Sequence, residues 1–125
     1  MKKVKIWLII LAIIIAIGAL GYIGFTQANK PGKYDDFAKC LKNNGAVFYG
    51  AFWCPHCQDQ KDLFGNSKKY LPYVECSTPD SNGQLEVCKN AKVEAYPNWQ
   101  FKDGSKVDGE VSLQKLAEKT SCILP

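Results

Sequence analysis

Cys54 and Cys57 stand two residues apart in Trp53-Cys54-Pro55-His56-Cys57, directly after an apolar run. Two sulfurs at that spacing on the first turn of a helix can form and break a disulfide, so the chemistry expected here is thiol-disulfide exchange. Pro55 suits the first helical position, where its missing N–H would have no partner in any case. The Cys54 sulfur then falls at a helix start, where unpaired backbone N–H groups and the macrodipole favour negative charge. His56, the single histidine of the chain, lies between the two sulfurs and can donate an N–H to the Cys54 thiolate, adding a positive charge when protonated. A thiolate so stabilised is a good leaving group, which makes the disulfide form oxidising. Cys54 is expected to be the exposed attacking sulfur and Cys57, one turn inward, the resolving one.

A cysteine pair of this spacing is also half of a zinc site, but a second such pair would be needed and Cys76 and Cys88 do not supply it. No metal and no cofactor is expected. A cysteine-held metal module and a non-catalytic binding domain are the readings from other classes, and thiol titration with metal analysis separates them from an enzyme.

The elements that must position the pair can be read around it. Ala46 to Trp53 is rich in aromatic and β-branched residues and predicts a buried strand, and Cys54 to Phe64 predicts a helix closed by Gly65. Before them, Asp36 to Asn43 places Phe37, Cys40 and Leu41 on one helical face. After them come a strand over Tyr70 to Cys76 and a short helix over Gln84 to Val93. Asn98 to Lys102 and Lys106 to Gly109 predict a hairpin turning at Asp103-Gly104, and Ser112 should cap a final helix carrying Leu113, Leu116 and Ala117. A helix joining two strands in this order implies parallel pairing of the first two strands.

Ile6 to Phe25 carries no charge; as a helix it would be about 30 Å long, the thickness of a bilayer core. With Trp7 and Tyr22 near its ends and Lys2, Lys3 and Lys5 before it, residues 1–5 are expected in the cytoplasm, 6–25 across the cell membrane as a signal anchor, and the rest outside. A cleaved leader ending near Thr26-Gln27-Ala28 competes, although its apolar core would be unusually long. Residues 26–35, with Lys30-Pro31-Gly32, read as a linker reaching only about 17 to 19 Å as a flexible coil, and 36–125 as one domain. Three N-terminal lysines supply most of the net charge of +4, so the domain is nearly neutral; without arginine or a basic cluster, nucleic acid is not an expected partner. Six cysteines in so small a chain fit an oxidising compartment.

With that order of elements, Trp53-Cys54-Pro55-His56-Cys57 followed by Tyr96-Pro97 ahead of a hairpin resembles the thioredoxin fold over most of 36–122. Tyr49-Gly50-Ala51-Phe52-Trp53-Cys54-Pro55-His56-Cys57, then Tyr73-Val74-Glu75-Cys76, Cys88, Ala95-Tyr96-Pro97 and Ser112-Leu113, more narrowly resembles the thioredoxin-like domains fused to, or partnering, bacterial vitamin K epoxide reductase homologues. The resemblance implies an α/β fold with a central mixed sheet flanked by helices. It also implies a protein disulfide oxidant acting on reduced secreted proteins and recharged by a quinone-linked membrane thiol oxidase; a reductase or isomerase of the same fold is the alternative. Cys54 and Cys57 match the redox pair, and Pro97 matches a proline that is cis beside it. Trp53, Pro55 and Tyr96 fall on the substrate surface, though core packing accounts equally well for Trp53 and Tyr96. Phe48 stands where thioredoxins carry a buried Asp, so the reductase reading lacks a proton acceptor. Cys76 and Cys88 match a second disulfide, structural by default and an electron relay in the alternative. Cys40 and Cys122 are open to a bridge joining the ends of the domain, which their place on helices of opposite faces of that fold disfavours, and each equally fits a buried free thiol. Six cysteines allow 15 pairings.

Overall fold

The computed structural model describes all residues, Met1–Pro125, and divides into two units, Met1–Lys30 and Pro31–Pro125. The first is essentially one helix, α1 (Lys2–Ala28), with its apolar side chains exposed. It is long and apolar enough to cross a membrane by length and composition. Because α1 runs on to Ala28, the irregular stretch is shorter than the expected linker and ends where α2 begins at Asp35.

The second unit holds a four-stranded mixed sheet with helices. Its elements are α2 (Asp35–Asn43), β1 (Val47–Gly50), α3 (Pro55–Asp62), a 3-10 turn (Gly65–Tyr70), β2 (Tyr73–Glu75), α4 (Glu86–Asn90), β3 (Asn98–Gln100), β4 (Lys106–Asp108) and α5 (Leu113–Thr120). The strand order is β2-β1-β3-β4. The β1–α3–β2 crossover leaves β2 parallel to β1 with Phe48 opposite Tyr73, while β3 runs antiparallel to β1 with Trp99 opposite Phe48. The hairpin turns where expected: Gly104 takes a φ of 82°, which glycine adopts without steric cost, and its N–H reaches the Phe101 carbonyl. Ser112 caps α5 by accepting from the Lys115 N–H.

Successive residues of β1 face opposite sides of the sheet. Phe48 is fully buried in the larger core with Phe37, Leu41, Phe64, Trp99, Leu116 and Cys57, stacked on Trp99 with ring centres 4.9 Å apart. Tyr49 joins a second, smaller cluster with Cys76, Cys88 and Val93. α2 enters the larger core through Phe37, Ala38 and Leu41, with Asp35 and Asp36 in its first turn and Lys42 in its last, each charge complementing the helix dipole.

The elements have the expected types and order, with shorter bounds. The strand expected over Ala46 to Trp53 stops at Gly50, because the Cys54 N–H bonds the Ala51 carbonyl and folds 51–53 into a turn. Phe52 and Trp53 are consequently about half exposed instead of buried. The helix expected to reach Phe64 ends at Asp62, and Gly65, at φ 52°, opens the 3-10 turn instead of closing an α-helix. That turn takes up Tyr70, so β2 begins only after Pro72.

The largest departure concerns Cys40 and Cys122, which form a disulfide with Cα atoms 5.9 Å apart. The bridge was disfavoured because both residues were placed on helices of opposite faces. Instead α2 packs on α5, and Cys122 lies beyond α5, after the left-handed Ser121 (φ 58°) has turned the chain back. Asn44, just past α2, donates its amide to both sulfurs and to the Thr120 carbonyl. Cys76 and Cys88 form the second bridge.

Candidate active site

Cys54 and Cys57 are the two free cysteines. Cys54 is the N-cap of α3 with extended backbone, Pro55 is the first helical residue, and Cys57 lies one turn in. Cys54 is the more accessible sulfur, but at 6% exposure it is far less open than the sequence suggested; Cys57 is sealed at 0%. The Cys54 sulfur does not cap its own helix; its S–H points to the Tyr96 carbonyl, at 3.8 Å. The bond from Tyr96 to Pro97 is cis, and Pro97 is fully buried.

The pair approaches β1 so closely that only glycine fits below it. A Cβ on Gly50 would lie 2.9 Å from the Cys57 sulfur and 2.8 Å from the Tyr73 ring. Burial pushes the Cys57 thiol up to about 12; the backbone of Ala51 and the ammonium of Lys61 pull the other way, and the neighbouring Cys54 adds to the rise. Lys61 is held 3.5 Å from the centre of the Tyr73 ring. The Tyr73 hydroxyl donates to Glu75 at 2.8 Å, and burial raises its ionisation well above the ordinary tyrosine range.

The turn bearing the pair is clamped to the end of β2. One Glu75 carboxylate oxygen accepts from the backbone N–H groups of Phe52 and Ser77. The Trp53 indole donates to the Ser77 hydroxyl at 2.8 Å and packs edge-on against Tyr96, with ring centres 6.2 Å apart. Gln84 in turn donates to the Tyr96 hydroxyl. Trp53, Tyr96 and the Cys54 sulfur are thus brought together, and the Trp53 ring is half-exposed and Pro55 exposed beside them.

His56 does not take the place the sequence suggested. It makes no hydrogen bond to either sulfur; its ring is 69% exposed and its Nδ1 pairs with the Glu110 carboxylate at 2.7 Å. Asp59, a turn further along α3, brings a third polar group into a cluster whose donor atoms lie within 4.8 Å of one another.

Gln60 escaped notice in the sequence because a lone glutamine on a short polar helix carries no periodic or motif signal. Its side chain is completely buried and fully engaged. The amide nitrogen donates to the Val111 carbonyl at 3.0 Å, and the amide oxygen accepts from the Val111 N–H at 2.6 Å and the Trp99 indole at 3.2 Å. α3 is thereby tied to the segment after β4, where the Gly109 N–H also donates to the Pro97 carbonyl.

Phe48, within the core, offers no carboxylate to Cys57. The Cys76–Cys88 bridge belongs to the smaller cluster with Tyr49, while Cys54 and Cys57 belong to the larger one with Phe48, and both bridged sulfurs are sealed from solvent.

No protein-family model matches the chain. The chain is 44% identical over 88 residues to the thiol-disulfide oxidoreductase LTO1 of Arabidopsis thaliana, an alignment covering 66% of this chain and 23% of the plant protein. The chain therefore spans about a quarter of the relative's length. That likeness supports the expectation of a protein thiol-disulfide oxidoreductase, which the two free cysteines at the start of α3 could serve.

Proposed function

We propose that the Pro31–Pro125 unit is a thioredoxin-like disulfide oxidant, held at the outer surface of a cell membrane by α1, that takes electrons from reduced secreted proteins. The observation that carries the reading is the pair itself: a slightly accessible Cys54 facing the Tyr96 carbonyl before cis Pro97, backed by a sealed Cys57 that retains its proton. The parallel β1–β2 pairing followed by an antiparallel hairpin supports the fold assignment.

In the forward reaction a substrate thiolate attacks Cys54 of the Cys54–Cys57 disulfide. The S–S bond breaks, its electron pair goes to Cys57, and Cys57 takes up a proton. A second substrate thiolate then attacks the substrate sulfur of the mixed disulfide and expels Cys54. Two substrate thiols become one disulfide, and the pair gains two electrons. Return attack by Cys57 would first require loss of its proton, which the burial of that sulfur opposes. The same burial hinders a reductase, whose resolving thiol must be a ready nucleophile.

Recharging needs an electron acceptor, and a quinone-linked membrane thiol oxidase of the vitamin K epoxide reductase type suits a domain tethered close to the lipid. The apolar α1 and the few irregular residues after it support that placement. The metal-module alternative loses weight because the other four cysteines are paired and His56 is turned to Glu110, leaving two thiol ligands where zinc takes four.

The test is trapping. Cys57→Ser should accumulate a mixed disulfide between Cys54 and substrate that reductant releases, and Cys54→Ser should not; the reverse pattern sinks the assignment. A reduction potential near thioredoxin's, about −270 mV, would turn the reading to a reductase.

A further inference from the structure

Glu110 sits in a part of the fold that the exchange steps leave unused. Its neighbour Gly109 donates to the Pro97 carbonyl at 2.7 Å, and its other neighbour Val111 is held through both N–H and C=O by the buried amide of Gln60. The segment is fixed against both the proline that adjoins Cys54 and the helix that begins at it. From this fixed base the Glu110 carboxylate takes the Nδ1 of His56 at 2.7 Å. The imidazole is the one histidine donor the sequence offers to a Cys54 thiolate, yet it makes no bond to that sulfur. Asp59, Lys61, Asp62 and the two thiols are the other titratable groups on α3 and its cap, and Asp59 adds to the negative charge around the ring.

We infer that Glu110 is a positioning residue that restrains the oxidising strength of the Cys54–Cys57 pair by holding His56 at the rim of the site. Stabilising the Cys54 thiolate makes the disulfide more oxidising. Glu110 opposes this twice, by occupying the imidazole donor and by placing a negative charge on the same side of the site. Its removal frees the imidazole donor and withdraws that negative charge, and both changes favour the Cys54 thiolate. The size is modest, because both side chains are substantially exposed, 69% for His56 and 40% for Glu110, and water screens them.

The experiment is a redox equilibrium of the full chain in detergent with glutathione. The reduced pair and glutathione disulfide give the Cys54–Cys57 disulfide and two glutathione thiols; one S–S bond breaks as another forms, and two electrons and two protons pass to glutathione. Glu110→Ala should move this equilibrium toward the reduced pair by about two- to fivefold and raise the rate at which iodoacetamide alkylates Cys54 at pH 6. In a His56→Ala background the same substitution should shift the equilibrium less than in the native background. An unchanged or opposite shift, or an equal shift in both backgrounds, overturns the inference; so does a fall in the urea midpoint with no movement of the equilibrium, which would make Glu110 structural. The inference rests on the exchange reading above. A native chain that does not exchange with glutathione at all sinks that reading and this one together, whereas a native chain that exchanges beside an unmoved Glu110→Ala sinks only this one.

Discussion

Removing the two disulfides separately should produce unequal losses, and the order can be worked from the structure. Cys40–Cys122 closes a sequence separation of 82 and Cys76–Cys88 one of 12. The chain-entropy account assigns about 4.5 kcal/mol to the first and about 2.8 kcal/mol to the second, because the longer loop removes more freedom from the unfolded chain. Packing works the other way. Both sulfurs of the short bridge are sealed, whereas Cys40 of the long one is only half-buried, so truncation to Ala costs the short bridge more, by about 0.5 to 1 kcal/mol. Entropy wins, and Cys40→Ala/Cys122→Ala should be the less stable double variant by about 1 kcal/mol, or about 4 to 8 °C in melting temperature. Urea unfolding of the full chain in detergent, followed through the buried Trp99, measures the difference. If Cys76→Ala/Cys88→Ala is the weaker protein, the entropic argument fails here and local packing governs both bridges. Thiol-disulfide exchange should survive in the folded Cys76→Ala/Cys88→Ala protein, because the native bridge lies in the smaller cluster; loss of exchange would restore the relay.

Gln60→Leu should destabilise the domain by about 3 kcal/mol or more, since the Trp99 indole and both backbone groups of Val111 would be left buried without partners; a urea midpoint close to the native one would refute the role given to that amide. The raised Cys57 thiol predicts a pH effect whose sign follows from linkage. The folded form holds this proton from its unfolded value near 9.0 up to about 12, so the stability it brings is complete below pH 9 and lost as pH climbs through 12. Reduced protein should therefore weaken in urea above pH 9 more steeply than oxidised protein, in which Cys57 has no proton to lose, and parallel curves would contradict the assignment. Ala at Gly50 should disturb the pair directly, through contacts of 2.8 and 2.9 Å with Tyr73 and Cys57. Slower exchange with a lowered melting temperature is the expected outcome, and unchanged kinetics would count against so close an approach.

The cysteine pair at a helix start and the succession of elements were legible because each has a local signature, a two-residue cysteine spacing and alternating or helical apolar periods, whereas the cis bond before Pro97 came from the family resemblance. What escaped the sequence depends on contacts between distant residues. Cys40 and Cys122 are brought together by the packing of α2 on α5 and a left-handed residue after α5. His56 was read from its place between the sulfurs, but a helix points that side chain outward, where Glu110, 54 residues away, captures it. Gln60 and Glu75 hold the site through single side chains whose partners lie on other elements, so no window of sequence contains both ends of the interaction. Strand lengths were overread for a related reason. Ala51 to Trp53 is as apolar as a strand, yet Cys54 must begin a helix, and the turn this requires exposes the aromatic rings.

The Cys40–Cys122 link also decides how the domain bears mechanical load. Tension entering at Pro31 and leaving at Pro125 reaches Cys40 after a few residues and crosses directly to Cys122, bypassing the intervening segment that contains the sheet, α3 and the two free cysteines. While that covalent shortcut is intact, a pull along the chain cannot extend the segment between them, and a protease cut between the two positions leaves its fragments joined.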